Sequence, residues 1–125
     1  MEEFKKWFLK AKEDLNWAKQ SYDSHVYYGA CFASQQATEK ALKSYLLKNK
    51  LPLRKIHDLV ALLEDCISID SSFEELRNFA QMLFFYYVET RYPDLGDSEN
   101  LNEVQAREAC DAAKHVIDFV ERKIG

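Results

Sequence analysis

Residues that break helices and form turns are scarce in this chain, which has three glycines and two prolines among 125 residues. Together they make up about 4% of the chain, against roughly 12% in an average protein. Leucine and alanine also outnumber valine, isoleucine and threonine two to one, and side-chain entropy then favours helices over strands. The length suits one hydrophobic core. We therefore predict an all-α fold in which residues 1–125 form a single domain.

Apolar residues recur at alternating steps of three and four, which is the spacing of a helix with one buried face. This pattern predicts helices over residues 2–21, 25–48 and 58–67. The second helix also carries small residues that let a neighbouring helix approach closely, so we expect it to be central in the bundle. These small residues are Gly29, Ala30, Ala33, Ser34, Ala37 and Ala41.

Two capping boxes mark the remaining helices. Ser72 is followed three residues later by Glu75, and Asn102 is followed three residues later by Gln105. With this spacing, the side chain of each residue in a pair can accept a hydrogen bond from the backbone N–H of the other. The pairs therefore predict a fourth helix beginning at Ser72 and a fifth beginning after Asn102. Between them we predict a long loop over residues 89–100.

Cys31, Cys66 and Cys110 are odd in number, far apart and each within an apolar helical pattern. We expect buried, unpaired thiols in the reducing cytoplasm. The longest uninterrupted apolar run, residues 82–88, has seven residues, whereas a membrane span needs about 20. The N-terminus is charged, so we expect a protein that is neither secreted nor membrane-spanning.

The net charge of −4 argues against a protein that coats nucleic acid through bulk positive charge, so any site for a polyanion must be local. One basic segment exists, over residues 39–58. Three interpretations remain open: it binds phosphate, it complements the acidic residues 89–103 across a dimer, or it is a solvated helix end. Its cations are Lys40, Lys43, Lys48, Lys50, Arg54 and Lys55.

Lys40 and Lys43 share a helical face, and Glu39 lies four residues before Lys43. A Glu39–Lys43 pair would orient Lys43 toward a phosphate, or it would be an ordinary surface ion pair worth ~0.3–0.5 kcal/mol. His57 next to Asp58 is either an acid or base at neutral pH or part of a helix cap. The sequence shows no metal-ligand spacing, glycine-rich phosphate loop or nucleophile motif, so we expect no metal and no cofactor.

The predicted fourth helix is apolar on more than one side, more than a single neighbour in so small a domain would cover. We therefore predict a homodimer whose interface contains Phe84, Phe85 and Tyr86. This helix runs into Arg91 and Tyr92. Aromatic rings with an arginine can stack a base and grip a phosphate, or they can form a buried interface.

Three stretches of the chain resemble the HEPN family of small helical domains: YGACFASQQATEKALK at residues 28–43, IHDL at 56–59 and TRYPD at 90–94. The resemblance implies an up-and-down bundle of four or five helices that forms a homodimer. It also implies a role beside a minimal nucleotidyltransferase, as the toxin-like member of a two-gene toxin–antitoxin module, with a nucleotide or RNA as ligand.

Many members of the family are metal-independent ribonucleases with an arginine followed after four to six residues by a histidine. Arg91 has no histidine in that range, so we expect weak or absent ribonuclease activity, and we assign no catalytic residue. We predict that Lys40, Lys43 and Arg91 contact phosphate, that His57 acts as an acid or base and that Tyr92 stacks a base. The alternative is a non-catalytic module that docks a partner through the aromatic face of the fourth helix.

Overall fold

The computed structural model describes residues 1–91 and 101–125, except for the side chains of residues 90 and 91. Within these residues it is an all-α bundle. Its α-helices are α1 (Glu3–Asp23), α2 (Tyr27–Lys48), α3 (Leu59–Ile69), α4 (Arg77–Arg91) and α5 (Glu103–Ile124), and a short 3₁₀ helix (Ser71–Leu76) precedes α4. The predicted fold class is confirmed.

The centre of the bundle is α2, which packs against α1, α3, α4 and α5. Its predicted central position is therefore confirmed. The small side chains on α2 explain this arrangement, because they leave room for a neighbouring helix on several sides. Four of its alanines are completely buried: Ala30, Ala33, Ala37 and Ala41.

Helices α1 and α2 form an antiparallel hairpin. In the turn between them, the backbone N–H of Val26 donates to the carbonyl of Ser21 at 2.8 Å. Gly29 lies so close to this turn that a Cβ there would be 3.1 Å from Val26 Cγ1. At the opposite end of the hairpin, the hydroxyl of Ser44 donates to the carbonyl of Phe4 at 2.7 Å.

The start of the fourth helix differs from the prediction. Asp70 is the N-cap of the 3₁₀ helix, and its carboxylate accepts both the backbone N–H and the hydroxyl of Ser72. The Ser72 hydroxyl is therefore engaged with Asp70, and the α-helical part of the segment begins at Arg77. The helix then continues through Arg91, so the predicted loop begins later than residue 89, and residues 92–100 lie outside the described residues.

The predicted capping box at Asn102 is confirmed, because its side chain accepts the backbone N–H of Gln105 and the Gln105 side chain accepts the backbone N–H of Asn102. The three cysteines are buried and unpaired, as predicted. Burial raises the pKa of the Cys31 thiol to about 12. In the described parts of the chain, none of the helices has the length and apolar character needed to cross a membrane.

Candidate functional site

A buried carboxylate lies at the centre of a polar network between α2 and the segment before α3. The side chain of Glu39 is 5% exposed. Its Oε2 accepts a hydrogen bond from Lys43 Nζ at 3.0 Å, and its Oε1 lies 2.9 Å from His57 Nδ1 and 3.3 Å from Gln35 Nε2. We call Gln35, Glu39, Lys43 and His57 the Glu39 network.

Local helix geometry explains three of the four members. Gln35, Glu39 and Lys43 follow one another at intervals of four on α2, which places their side chains on the same face of the helix. His57 comes from the segment between α2 and α3. It directly precedes Asp58, whose carboxylate accepts the backbone N–H groups of Val60 and Ala61 and caps α3.

The Glu39–Lys43 pair is an internal ion pair, so its interpretation as an ordinary surface pair is wrong. The two side chains are 5% and 6% exposed. Removing such charges from water costs several kcal/mol per ion, and the pair persists only where good geometry and further hydrogen bonds compensate. Glu39 meets this requirement, because Gln35 and His57 also contact its carboxylate.

The Glu39 carboxylate determines how the His57 ring is protonated. An ionised carboxylate only accepts hydrogen bonds, so Nδ1 of His57 must be the donor. In the neutral ring the lone pair then lies on Nε2. The His57 side chain is 42% exposed, so a buried carboxylate orients an imidazole at the protein surface. Asp58, and not His57, caps α3.

The His57 ring also stacks on α4. Its centroid is 5.4 Å from that of Tyr87, and the two ring planes differ by 22°. Tyr87 stacks in turn on Phe84, at 5.8 Å and 10°. We call His57, Tyr87 and Phe84 the His57 stack. It lies one helical turn before Arg91, the last residue of α4.

The structure does not bring Lys40 and Lys43 together on one exposed anion site. Lys43 Nζ is buried against Glu39, whereas Lys40 pairs with Asp14 of α1. Each ammonium is thus already matched by a carboxylate, which weakens the case for either as a phosphate contact. The side chain of Arg91 and all of Tyr92 lie outside the described residues.

The three residues predicted for a dimer interface differ in exposure. Phe85 is 50% exposed, but Tyr86 is buried in the core of its own chain. Burial raises the pKa of the Tyr86 hydroxyl to about 12. Phe84 is half-buried and packs against the core. Tyr86 therefore stabilises the bundle itself and offers a partner little surface, because it lies three residues after the buried Leu83, on the inward face of α4.

Two members of this region were not predicted from the sequence. Gln35 was missed, although its position four residues before Glu39 repeats the spacing between Glu39 and Lys43. Trp7 is the second, and the centroid of its ring lies 5.8 Å from Lys43 Nζ, within cation–π range. In the described part of the chain, no three histidine, cysteine or acidic side chains are grouped to hold a metal ion.

Comparison with known proteins identifies the family. The HEPN domain model matches residues 4–123. TT1696 from Thermus thermophilus, a protein of known crystal structure, is 33% identical in sequence to this chain. The match covers 98% of this chain and 99% of TT1696, and the two structures superpose with a TM-score of 0.86. ST0689, an archaeal HEPN homologue, is 28% identical, covers 100% of both chains and has a TM-score of 0.82.

An HEPN domain protein from Thermotoga maritima is 25% identical, covers 94% of this chain and 96% of its own, and has a TM-score of 0.76. No curated protein matches this chain significantly. The family model spans nearly the whole chain, and the similar structures share its length and helical arrangement. The chain belongs to the HEPN domain family.

Proposed function

We propose that this HEPN domain binds RNA or a nucleotide at the His57 stack, as the toxin-like partner of a minimal nucleotidyltransferase. The observation that carries the proposal is the support of an exposed imidazole by a buried carboxylate. The side chain of Glu39 is 5% exposed and contacts Nδ1 of His57. The side chain of His57 is 42% exposed. Burying the charges of Glu39 and Lys43 is costly, and we infer that this cost is sustained because the pair holds His57 in place at the surface.

The His57 stack has the chemistry that a single-stranded nucleic acid requires. A base can add to the exposed end of the stack at His57, since base–aromatic stacking accepts any base. When protonated, the imidazole can also donate to a phosphate oxygen through Nε2. Arg91 follows one turn after Tyr87 on α4, and we propose it as a second phosphate contact, with Tyr92 as a further stacking surface.

We propose binding with little cleavage. Attack by a ribose 2′-hydroxyl needs a proton acceptor, arginine stays protonated in proteins, and we propose that His57 serves to bind the ligand and not to accept this proton. Arg91 has no histidine at the family spacing. Incubation of the purified protein with single-stranded RNA should leave the RNA intact. Cleavage that both Arg91→Ala and His57→Ala abolish would contradict this expectation and would make His57 the proton acceptor.

The test of binding is a titration of a labelled single-stranded RNA, followed by fluorescence anisotropy. The His57→Ala variant loses a charge-assisted contact worth ~1.5–3 kcal/mol, so it should bind the RNA roughly ten- to a hundredfold more weakly than the wild type. His115→Ala is the matched control, because His115 is an exposed histidine on α5 that contacts Phe79. Equal affinities for all three proteins would contradict the proposal.

A second candidate function rests on Phe85, an aromatic side chain that is 50% exposed on α4. A large exposed apolar side chain favours a protein interface. In this case the domain is a non-catalytic module that docks a partner, or a second copy of itself, through the exposed side of α4. A wild-type protein that does not bind RNA would favour this function over the first.

A further inference from the structure

A groove lies between α4 and α5 on the surface of the bundle, with a volume of about 440 Å³. Its floor is apolar, because Phe79 and Met82 of α4 are partly buried against the core and Ala112 of α5 is 2% exposed. The ring of His115 lies against that of Phe79, with 4.6 Å between the two centroids. We call this feature the α4/α5 groove. It presents large apolar side chains to whatever covers it.

Two carboxylates line the α4/α5 groove. Glu108 and Asp111 are three residues apart on α5, so both lie on the same side of the helix, and both are exposed. No cation among the described residues forms an ion pair with either of them, whereas the other three acidic residues of α5 are paired. Those pairs are Glu103 with Arg107 at 3.2 Å, Asp118 with Lys114 at 2.7 Å and Glu121 with Lys12 at 3.4 Å. The groove therefore keeps two negative charges available to the cations of a partner.

The apolar surface continues beyond the groove along α5. Val104 lies one helical turn before Glu108 on the same face, and it is 46% exposed. An occupant that reaches from His115 to Val104 covers about 16 Å of the helix, at about 1.5 Å per residue. A surface of this length fits an element of secondary structure better than a single side chain.

A helix is the element that this surface accepts. Strand addition needs the edge of a sheet, and the described residues form no strand. A third helix can instead pack its ridge of side chains into the channel between two packed helices. A second copy of this chain fits poorly, because an isologous contact sets each surface against itself. Glu108 and Asp111 would then face the same carboxylates, which repel them.

We propose that the α4/α5 groove binds an amphipathic helix of a partner protein, with lysine or arginine along the side of that helix that faces α5. The apolar residues of the partner helix pack on Phe79 and Met82, and its cations pair with Glu108 and Asp111. The interaction is independent of both functions proposed above, because it uses neither the His57 stack nor Phe85.

The experiment measures binding of the purified full chain to labelled synthetic peptides by fluorescence anisotropy. The probe is a peptide of about 18 residues, or five helical turns, with leucine at alternating steps of three and four and lysine beside the leucine stripe. Two further peptides serve as controls: one has the same composition in shuffled order, and one has glutamate in place of lysine. Only the first peptide should bind, with a Kd in the micromolar range, and added salt should weaken its binding.

Two changes to the protein locate the contact. Glu108→Lys with Asp111→Lys should weaken binding of the lysine peptide roughly tenfold or more, because two attractions become repulsions. The same variant should gain binding of the glutamate peptide. Met82→Ala should weaken binding of the lysine peptide roughly five- to thirtyfold, which is the range for loss of an apolar anchor.

The matched control is Asp118→Lys with Glu121→Lys, which reverses two charges of α5 outside the groove. It should bind the lysine peptide like the wild type, as should His57→Ala. The proposal is overturned if the wild type binds none of the peptides, if it binds the shuffled peptide equally well, or if the two charge reversals behave alike. It is also overturned if reversing Glu108 and Asp111 changes the mass of the protein measured by light scattering, which would show that a second copy covers the groove.

Discussion

Glu39 Oε1 lies 2.9 Å from Nδ1 of His57, so a carboxylate that is 5% exposed supports an imidazole that is 42% exposed. The same carboxylate accepts a hydrogen bond from Lys43 at 3.0 Å. The charges of Glu39 and Lys43 therefore balance each other inside the bundle. Through its contact with His57, Glu39 also orients an imidazole at the protein surface.

Removing the charge of Glu39 should strongly destabilise the fold. Glu39→Gln keeps the shape of the side chain but leaves the Lys43 ammonium buried without a counter-charge, which costs about 3–5 kcal/mol. Urea denaturation at neutral pH measures this loss. The control is Asp118→Asn, which breaks the pair between Lys114 and Asp118 at the same spacing, where the side chains are 53% and 46% exposed.

The Asp118→Asn control should lose less than about 1 kcal/mol, as exposed pairs do. Replacing both buried charges, with Glu39→Gln and Lys43→Met together, should recover much of the stability lost in the single variant. A loss below about 1 kcal/mol for Glu39→Gln would contradict the assignment of this pair as buried and mutually dependent.

The neutral His57 ring should carry its proton on Nδ1, because the Glu39 carboxylate can only accept a hydrogen bond. Long-range ¹H–¹⁵N spectra of the histidine rings distinguish the two tautomers. In Glu39→Gln the amide oxygen or nitrogen can face the ring, so the preference should weaken for His57 and stay unchanged for His25 and His115. A proton on Nε2 in the wild type would contradict the observed hydrogen bond.

Phe85→Asp should prevent self-association, because the charge would enter an apolar interface without a partner. Light scattering at micromolar concentration measures the mass in solution. We expect twice 14.7 kDa for the wild type and a single chain for the variant. Leu9→Asp is a suitable control, since Leu9 is 48% exposed on α1. A wild-type mass of one chain would contradict the predicted homodimer.

Stability should fall in acid partly through Asp70. Hydrogen bonds from Lys123 and Ser72 lower the pKa of its carboxyl from 3.8 to about 2. Because the pKa is lower in the folded protein, this contribution is fully present above about pH 4 and is lost as the pH falls toward 2. The difference in stability between the wild type and Asp70→Asn should therefore shrink across that range, and a constant difference would contradict it.

Cys31 and Cys66 should react with thiol reagents only when the protein unfolds. Cys31 and Cys66 have no exposed surface, and burial raises the pKa of both thiols, so little thiolate forms at neutral pH. Modification with a chromogenic disulfide should be slow in buffer and rapid in denaturant. Rapid reaction of one thiol in buffer would show local opening of the bundle around it.

The helices could be predicted because their spacing is a local property. The alternation of apolar residues located α1 and α2 to within a few residues, and the reciprocal bonds of Asn102 and Gln105 need only four consecutive residues. The start of α4 could not be predicted in the same way. Asp70 competes for the Ser72 hydroxyl, and Lys123 from the far end of the chain lies 2.8 Å from that carboxylate.

Only part of the candidate site could be predicted from the sequence, because the site also depends on contacts between distant segments. The spacing of Glu39 and Lys43 indicated the ion pair, but its burial depends on Trp7 and on the segment that carries His57. Lys40 and Lys43 are adjacent on one helical face in sequence, yet different neighbours pair with them: Asp14 on α1 and Glu39 within α2. Packing between distant segments, which helical periodicity does not report, decides such differences.

The position of α2 has a consequence for how the domain opens. Since α2 packs against α1, α3, α4 and α5, each of these four helices loses a packing surface when α2 leaves. Partial unfolding that spares α2 can release one peripheral helix, whereas opening that removes α2 disturbs all four helices packed on it. Its amide protons should accordingly exchange with solvent at the rate of global unfolding, and they measure the cooperativity of the domain directly.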